Sequence, residues 1–208
     1  MKQLQLEKLV LGPVSTNCYL AKNRDTGALL IIDPADCADV IARKIAGMSG
    51  TPEAILLTHG HFDHIGAALE LKNRFDIPVC ALDKEQEVLS DPVKNLTYWN
   101  GSGYGLRADR DLAEGDELVL AGFRVVVMHT PGHTIGRVSY YLQAEKVLFS
   151  GDTLFRCSVG RTDFPTGSMG DMHRSLQEKL FLLPEETEVF PGHDAATTIQ
   201  YEKRFNPY

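Results

Sequence analysis

The chain has 208 residues, 43% hydrophobic and 24% charged, enough for a filled core under a water-facing surface. A net charge of −7, with no cluster of lysines and arginines, argues against nucleic acid or an anionic membrane as the main partner. The N-terminus interleaves polar residues with leucines, so a signal-peptide core is not expected, and no apolar run approaches membrane-spanning length.

Residues 4–11 alternate apolar and polar side chains, as a half-buried strand does, until Gly12-Pro13 breaks the pattern. Residues 17–21 and 28–32 read as a hairpin, with 23–27 as the turn. Asp33-Pro34 ends the sheet, and Asp36 is expected to cap a helix to about Met48, which puts Val40, Ile41, Ile45 and Met48 on one face. Gly50 and Pro52 would close that helix. A strand over 54–57 and a helix over 63–74 follow, then a short strand at 78–82 and a short helix at 84–89. Residues 90–111, rich in Asn and Gly, read as a long loop of the functional or mobile kind. Strands are expected at 117–120, 123–128, 138–142 and 146–149, a helix at 171–181, a short strand at 188–190 and a last helix from about 195. Strand groups punctuated by helices predict one α/β domain over 1–208 with two sheets facing each other. Cys18, Cys37, Cys80 and Cys157 are scattered without a C-x-x-C pair, so a reducing cytoplasm is the expected setting.

Thr58-His59-Gly60-His61-Phe62-Asp63-His64 places three histidines and a carboxylate within six residues, directly after an apolar run. Packing offers no reason to crowd imidazoles there, whereas imidazole nitrogen and carboxylate oxygen are ordinary ligands of zinc and its neighbours. Four apolar strand-like runs each lead to a candidate ligand: 55–57 to His59, 125–128 to His133, 147–149 to Asp152, and 189–190 to His193. Glycine stands directly before the last three, letting the backbone come close to an ion. His59, His61, Asp63, His64, His133, Asp152 and His193 would suit two divalent ions sharing a carboxylate and a water.

T-H-G-H-F-D-H, together with Pro131-Gly132-His133-Thr134, Ser150-Gly151-Asp152-Thr153-Leu154-Phe155 and Pro191-Gly192-His193, resembles the metallo-β-lactamase superfamily. The resemblance implies an αββα four-layer sandwich with the site at the edge between its sheets. It also implies His59, His61 and His133 on one ion, Asp63, His64 and His193 on the second, and Asp152 between them. Gly160-Arg161-Thr162-Asp163-Phe164-Pro165 and Asn206-Pro207-Tyr208 are similar to the glyoxalase II (hydroxyacylglutathione hydrolase) branch, in its short single-domain form. The glutathione-binding helical region of full-length glyoxalase II is expected to be missing. An aspartate at 152 argues against the β-lactamase class that uses a zinc-binding cysteine.

The chemistry implied is hydroxide attack on a small-molecule thioester, S-lactoylglutathione or another S-acyl-thiol. The cofactors would be two divalent metal ions, Zn foremost with Fe or Mn as alternatives. Asp63 is the candidate catalytic residue, as ligand and proton carrier. Arg161 and Asp163 either contact substrate or form an ion pair that pins their loop. Tyr98, Trp99 and Tyr104 either cover an acyl group or form a small core under the long loop. His129 is expected to be a structural or supporting histidine and His173 to lie on an exposed helix face. Two other functions fit the same motifs: a persulfide dioxygenase with one iron on His59, His133 and Asp152, and a non-catalytic metal-binding protein.

Overall fold

The computed structural model describes residues 3–208. The first sheet contains β1 (Leu4–Leu11), β2 (Thr16–Asn23), β3 (Ala28–Ile32), β4 (Thr51–Leu56), β5 (Val79–Leu82) and β6 (Arg110–Leu112), in that order across the sheet. β1 to β3 form an antiparallel meander, and β3 to β6 run parallel. Parallel neighbours need crossovers. Here α1 (Ala38–Gly47) joins β3 to β4, and α2 (Phe62–Ile65) with α3 (Ala68–Phe75) joins β4 to β5. A single 3-10 turn at Asp83–Glu85, α4 (Gln86–Leu89) and the long loop lead to β6.

The second half supplies β7 (Glu117–Leu120), β8 (Phe123–His129), β9 (Val138–Leu142) and β10 (Val147–Gly151), then a small hairpin of β11 (Leu154–Phe155) and β12 (Ser158–Val159). After α5 (Met169–Glu178) come β13 (Glu188–Pro191), β14 (Thr197–Thr198) and α6 (Ile199–Phe205). The second sheet runs β14-β13-β10-β9-β8-β7 and is antiparallel except for the parallel β10–β13 pair.

Side-chain alternation builds the layers. In β3, Ala28, Leu30 and Ile32 enter the core between the sheets, while Leu29 and Ile31 point outward to the helices. Phe123, Val125 and Val127 of β8 and Val138, Tyr140 and Leu142 of β9 meet the inward set from the other sheet. Ile41 and Ile45 of α1 and Ala68 and Leu71 of α3 cover the outer face of the first sheet. Met172 and Leu176 of α5, with Ile199 of α6, cover Tyr141, Leu148 and Val189 on the second. Each fully buried aliphatic side chain contributes about 1.5–3 kcal/mol relative to exposure. The layer order is αββα, the metallo-β-lactamase arrangement that the resemblance implies.

Several local expectations are corrected. The helix expected over 63–74 is two helices. Gly66 packs against the turn after β3, where a Cβ would stand 2.3 Å from the Ala35 carbonyl oxygen. The amide of Ala67 donates to Pro34 O at 2.9 Å, away from the helical ladder. Asp36 does not cap α1: Cys37 takes the cap position in a left-handed conformation (φ 55), and no side chain caps the helix. Pro52 lies inside β4, at a point where β5, which pairs only with Ile55 and Leu56, does not reach. β6, β11, β12 and β14, each of two or three residues, are too short to show a period. α5 starts earlier than expected, capped by Ser168, whose hydroxyl accepts from Asp171 N. Thr198 caps α6 in the same way, so that helix begins at Ile199 instead of near 195.

Candidate metal centre

β8, β10 and β13 all run the same way, because β9 reverses direction once on each side and β10 and β13 are parallel. Their C-terminal ends therefore share one edge of the second sheet, and the chain after each carries His133, Asp152 and His193. The C-terminal end of β4 faces that edge, with Val138 N donating to Thr58 O at 2.9 Å across the sandwich. His59 and His61 follow β4, and α2 carries Asp63 and His64. Gly192 N donates to Gly151 O at 2.8 Å and joins two of these turns. A Cβ on Gly192 would lie 2.2 Å from Asp152 Oδ1, so a glycine is needed for this approach.

The seven side chains come together as three overlapping groups: His59, His61 and His133; His59, His64 and Asp152; Asp63, His64 and His193. Within each, the nearest nitrogen and oxygen atoms lie within 4.8 Å of one another. Asp152 sits where the groups meet: its Oδ1 is 3.5 Å from His64 Nε2, and its Oδ2 is 3.5 Å from both His133 Nε2 and His193 Nε2. Asp63 Oδ2 is 3.3 Å from His64 Nε2 and from His193 Nε2, and accepts from the Thr16 hydroxyl at 2.6 Å.

The donor set fits divalent cations on an independent count of hydrogen bonds. His59 Nε2, His61 Nε2, His64 Nε2 and Asp152 Oδ1 are buried without a hydrogen-bond partner. Leaving one such group orphaned costs about 1–3 kcal/mol, so four at one point call for a ligand. The opposite ring nitrogens are held: His59 Nδ1 lies 3.2 Å from Thr58 Oγ1, His64 Nδ1 2.9 Å from Asp33 Oδ2, and His133 Nδ1 2.6 Å from Arg161 O. Such contacts fix ring orientation in metal sites. His61 Nδ1 and His133 Nε2 are 2.8 Å apart, close enough to share one cation.

Electrostatics agree. Burial, then neighbouring imidazoles, holds His59 and His61 well below the usual histidine range, and burial with Arg137 takes His133 down to about 3. These rings offer lone pairs. Burial also opposes charge on His64, but Asp63, Asp152 and Asp33 outweigh it and raise its pKa well above the ordinary value. His193 is raised in the same manner, with Asp63 and Asp152 outweighing burial. Burial works against ionised Asp63, yet His64, His193 and Thr16 carry it well below the carboxylate range. A pocket so rich in carboxylates draws positive charge, as protons on His64 and His193 or as metal ions in their stead.

Four supporting residues carried too little signal to be singled out in the sequence. Asp33, in left-handed backbone (φ 48), accepts from Thr58 N at 2.8 Å and Thr58 Oγ1 at 2.7 Å while facing His64. It ends an apolar strand like the other candidates, and that signal could have found it. Glu85, fully buried, accepts from Gly60 N at 2.7 Å, Thr134 Oγ1 at 2.9 Å and Gly136 N at 2.9 Å, clamping the His59–His61 loop to the His133 loop. Within the charged run Asp83-Lys84-Glu85-Gln86-Glu87 it looks like a solvated helix residue. Thr16 steadies Asp63, and Arg137, also fully buried, donates to Ser150 O behind the centre.

The candidates for substrate contact separate. Arg161 lines a cavity of about 380 Å³ above the centre, with Val14, Phe62, Leu96, Phe155 and Phe164. Its guanidinium is paired bidentately with Asp163, at 2.7 and 2.6 Å, and rests 4.0 Å from the Phe164 ring centroid. Trp99 lines a neighbouring cavity of about 480 Å³. Tyr98 is exposed and Tyr104 packs with the outer core of the first sheet; neither lines either cavity. His129 Nε2 lies 2.8 Å from Ile135 O, and His173 lies on the exposed face of α5. Among the described residues no helix is long and apolar enough to cross a membrane.

Comparison with known proteins agrees with this geometry. Residues 11–193 match the family model described as the metallo-beta-lactamase superfamily. Hydroxyacylglutathione hydrolase GloC of Haemophilus influenzae is 33% identical, covering 99% of this chain and 98% of its own. The crystal structure of BLEG-1 B3 metallo-beta-lactamase superposes with a TM-score of 0.92 at 40% identity, over 98% of each chain. TTHA1623 in a di-iron-bound form gives a TM-score of 0.86 at 36% identity, over 97% of this chain and 98% of that one. ETHE1 from Myxococcus xanthus gives 0.81 at 31%, over 98% and 83%.

Proposed function

The chain belongs to the metallo-β-lactamase superfamily, and from that premise we propose that it is a binuclear metal-dependent hydrolase of thioesters. The observation that carries the reading is the cluster of orphaned imidazole nitrogens around Asp152, with Asp63 beside it. His59, His61 and His133 would hold one ion, Asp63, His64 and His193 the second, and Asp152 both. Two divalent ions held there, zinc foremost with iron or manganese as alternatives, would supply a water of near-neutral pKa and an electrophile for a carbonyl oxygen. The di-iron form of TTHA1623 supports a binuclear site, and the GloC relative supports a thioester.

The protein side of the chemistry follows from contacts. Thr16 and His193 fix the Asp63 carboxylate in one orientation, so it takes up the proton released by the attacking water and passes it to the leaving group. A thiolate, which leaves with little protonation, needs less acid help from that carboxylate than an alkoxide or an amine would. Phe164 stands beside His61 and Phe155 beside His193, giving the rim an apolar edge.

The test is metal analysis of protein purified without added metal, followed by assays on S-lactoylglutathione and simple acyl thioesters. Two ions per chain and thioester turnover that vanishes on chelation are expected, with Asp63→Asn lowering kcat at least about 100-fold. Turnover that survives complete chelation sinks the proposal. The B3 metallo-beta-lactamase relative supports a second reading, hydrolysis of β-lactams. A chromogenic cephalosporin cut faster than every thioester would replace the first reading by this one. One iron per chain with oxygen uptake on glutathione persulfide would instead favour the dioxygenase alternative.

A further inference from the structure

The 480 Å³ cavity beside the centre is lined by Phe62, Val93, Leu96, Trp99, Phe164 and Pro165, with Asn100 as its one polar residue. Asn100 Oδ1 already accepts from Ser102 N at 3.0 Å. No charged side chain lines the cavity, so it offers nothing to the carboxylates of a peptide-like thiol such as glutathione. Phe62, Leu96 and Phe164 also line the cavity above the centre, so the two spaces lie side by side and share a wall. Trp99 is 72% exposed and Val93 46% exposed. Clustered apolar exposure beside polar catalytic groups is the pattern of a ligand pocket, not of scattered surface residues.

The direction of approach is set by the rings. Phe164 stands 5.6 Å from His61 and 6.2 Å from His133, centroid to centroid, whereas the ring beside His193 is Phe155, at 6.0 Å. The apolar cavity thus flanks the centre on the His61 and His133 side. Asp63 is paired with His193 on the other side.

We propose that this cavity seats the acyl chain of the substrate, an apolar group of medium length, while the thiol portion departs past Asp63 and His193. The inference rests on the thioester-hydrolase reading and narrows it from hydroxyacyl to apolar acyl groups. In the reaction, R–CO–S–R′ and water give R–COOH and HS–R′. A C–O bond forms, the C–S bond breaks, and the proton taken by Asp63 ends on sulfur.

Trp99 is the chain's single tryptophan, so its fluorescence reports the cavity directly. The metal-loaded protein is assayed on acetyl, butyryl, hexanoyl and phenylacetyl thioesters of N-acetylcysteamine. The matching free acids are titrated against Trp99 emission. kcat/KM is expected to rise about fourfold per added methylene until the cavity is filled, and the emission to shift in the same order. Val93→Asp, at an exposed position that tolerates a charge in the fold, is expected to lower the hexanoyl-to-acetyl ratio at least tenfold. Thioester hydrolysis with a flat acyl series and unresponsive Trp99 overturns the acyl cavity and leaves the hydrolase reading intact. A rate that follows alkyl length on the thiol side instead overturns it too. A Trp99 response that follows chain length without hydrolysis of any thioester supports the cavity and overturns the thioester reading.

Discussion

Asp33 touches both the strand-end Thr58 and His64, so one carboxylate orients a candidate ligand and anchors the turn that precedes two more. Asp33→Asn keeps the shape and removes the charge. It is expected to weaken metal binding about 10- to 100-fold, read by competition with a chromophoric chelator. Unchanged affinity would mean that Asp33 serves the turn alone. Glu85 makes a different prediction. Burial pushes its pKa up to about 7 although Gly60, Thr134 and Gly136 donate to it. Its folded pKa exceeds the unfolded value, so the native state keeps a proton that the unfolded chain releases. The associated stability is present at low pH and lost as pH rises from about 4.5 to about 7, by up to about 3 kcal/mol. Urea melts of chelated protein at pH 5 and pH 8 should show this fall, and Glu85→Gln should flatten it; parallel pH profiles would refute the assignment.

At the scale of elements, the break between α2 and α3 sets where Asp63 and His64 stand. Gly66 has ordinary helical backbone (φ −55), so its role is steric. Gly66→Ala forces a Cβ against Ala35 O, which should destabilise the protein by about 1–3 kcal/mol and lower activity by displacing α2. An unshifted denaturation midpoint would contradict the contact. The loop after α4 is pinned, not loose. Asn95 Nδ2 donates to Leu89 O and Tyr104 O, both at 3.0 Å, and Asn95 O accepts from Phe62 N at 2.8 Å. Thr97 N also donates to Asn95 Oδ1 at 2.9 Å, so Asn95→Ala removes three side-chain hydrogen bonds, at about 1–3 kcal/mol for the orphaned partners. Limited proteolysis should then cut within 90–109, where the parent chain resists.

On the scale of the whole molecule, the candidate ligands come from both sheets, so bound ions would cross-link the halves of the sandwich. An ion present at 100 times its dissociation constant stabilises by about 2.7 kcal/mol, and a domain of this size shifts by about 2–4 °C per kcal/mol. Chelation should therefore lower Tm by at least about 5 °C, and readdition of metal should restore it. A Tm indifferent to chelation would show that the protein is held together without ions there.

The clustering of these seven side chains was legible in the sequence because imidazoles crowded after an apolar strand have no packing rationale, and because glycine before His133, Asp152 and His193 marks close backbone approach. Strands of four residues or more were legible as alternating or continuous apolar runs, which are local properties. Glu85 and Arg137 were not, since a buried polar residue and a solvated one look alike until the partners that satisfy it arrive from distant segments. The two-helix break at Gly66 was hidden for the same reason: the obstructing carbonyl belongs to Ala35, far back in the chain. Local chemistry alone thus determined which side chains the protein brings to its centre. Tertiary structure decided how they are oriented, which charges surround them, and that an uncharged cavity opens beside them. Those depend on through-space contacts between the two sheets that no single stretch encodes.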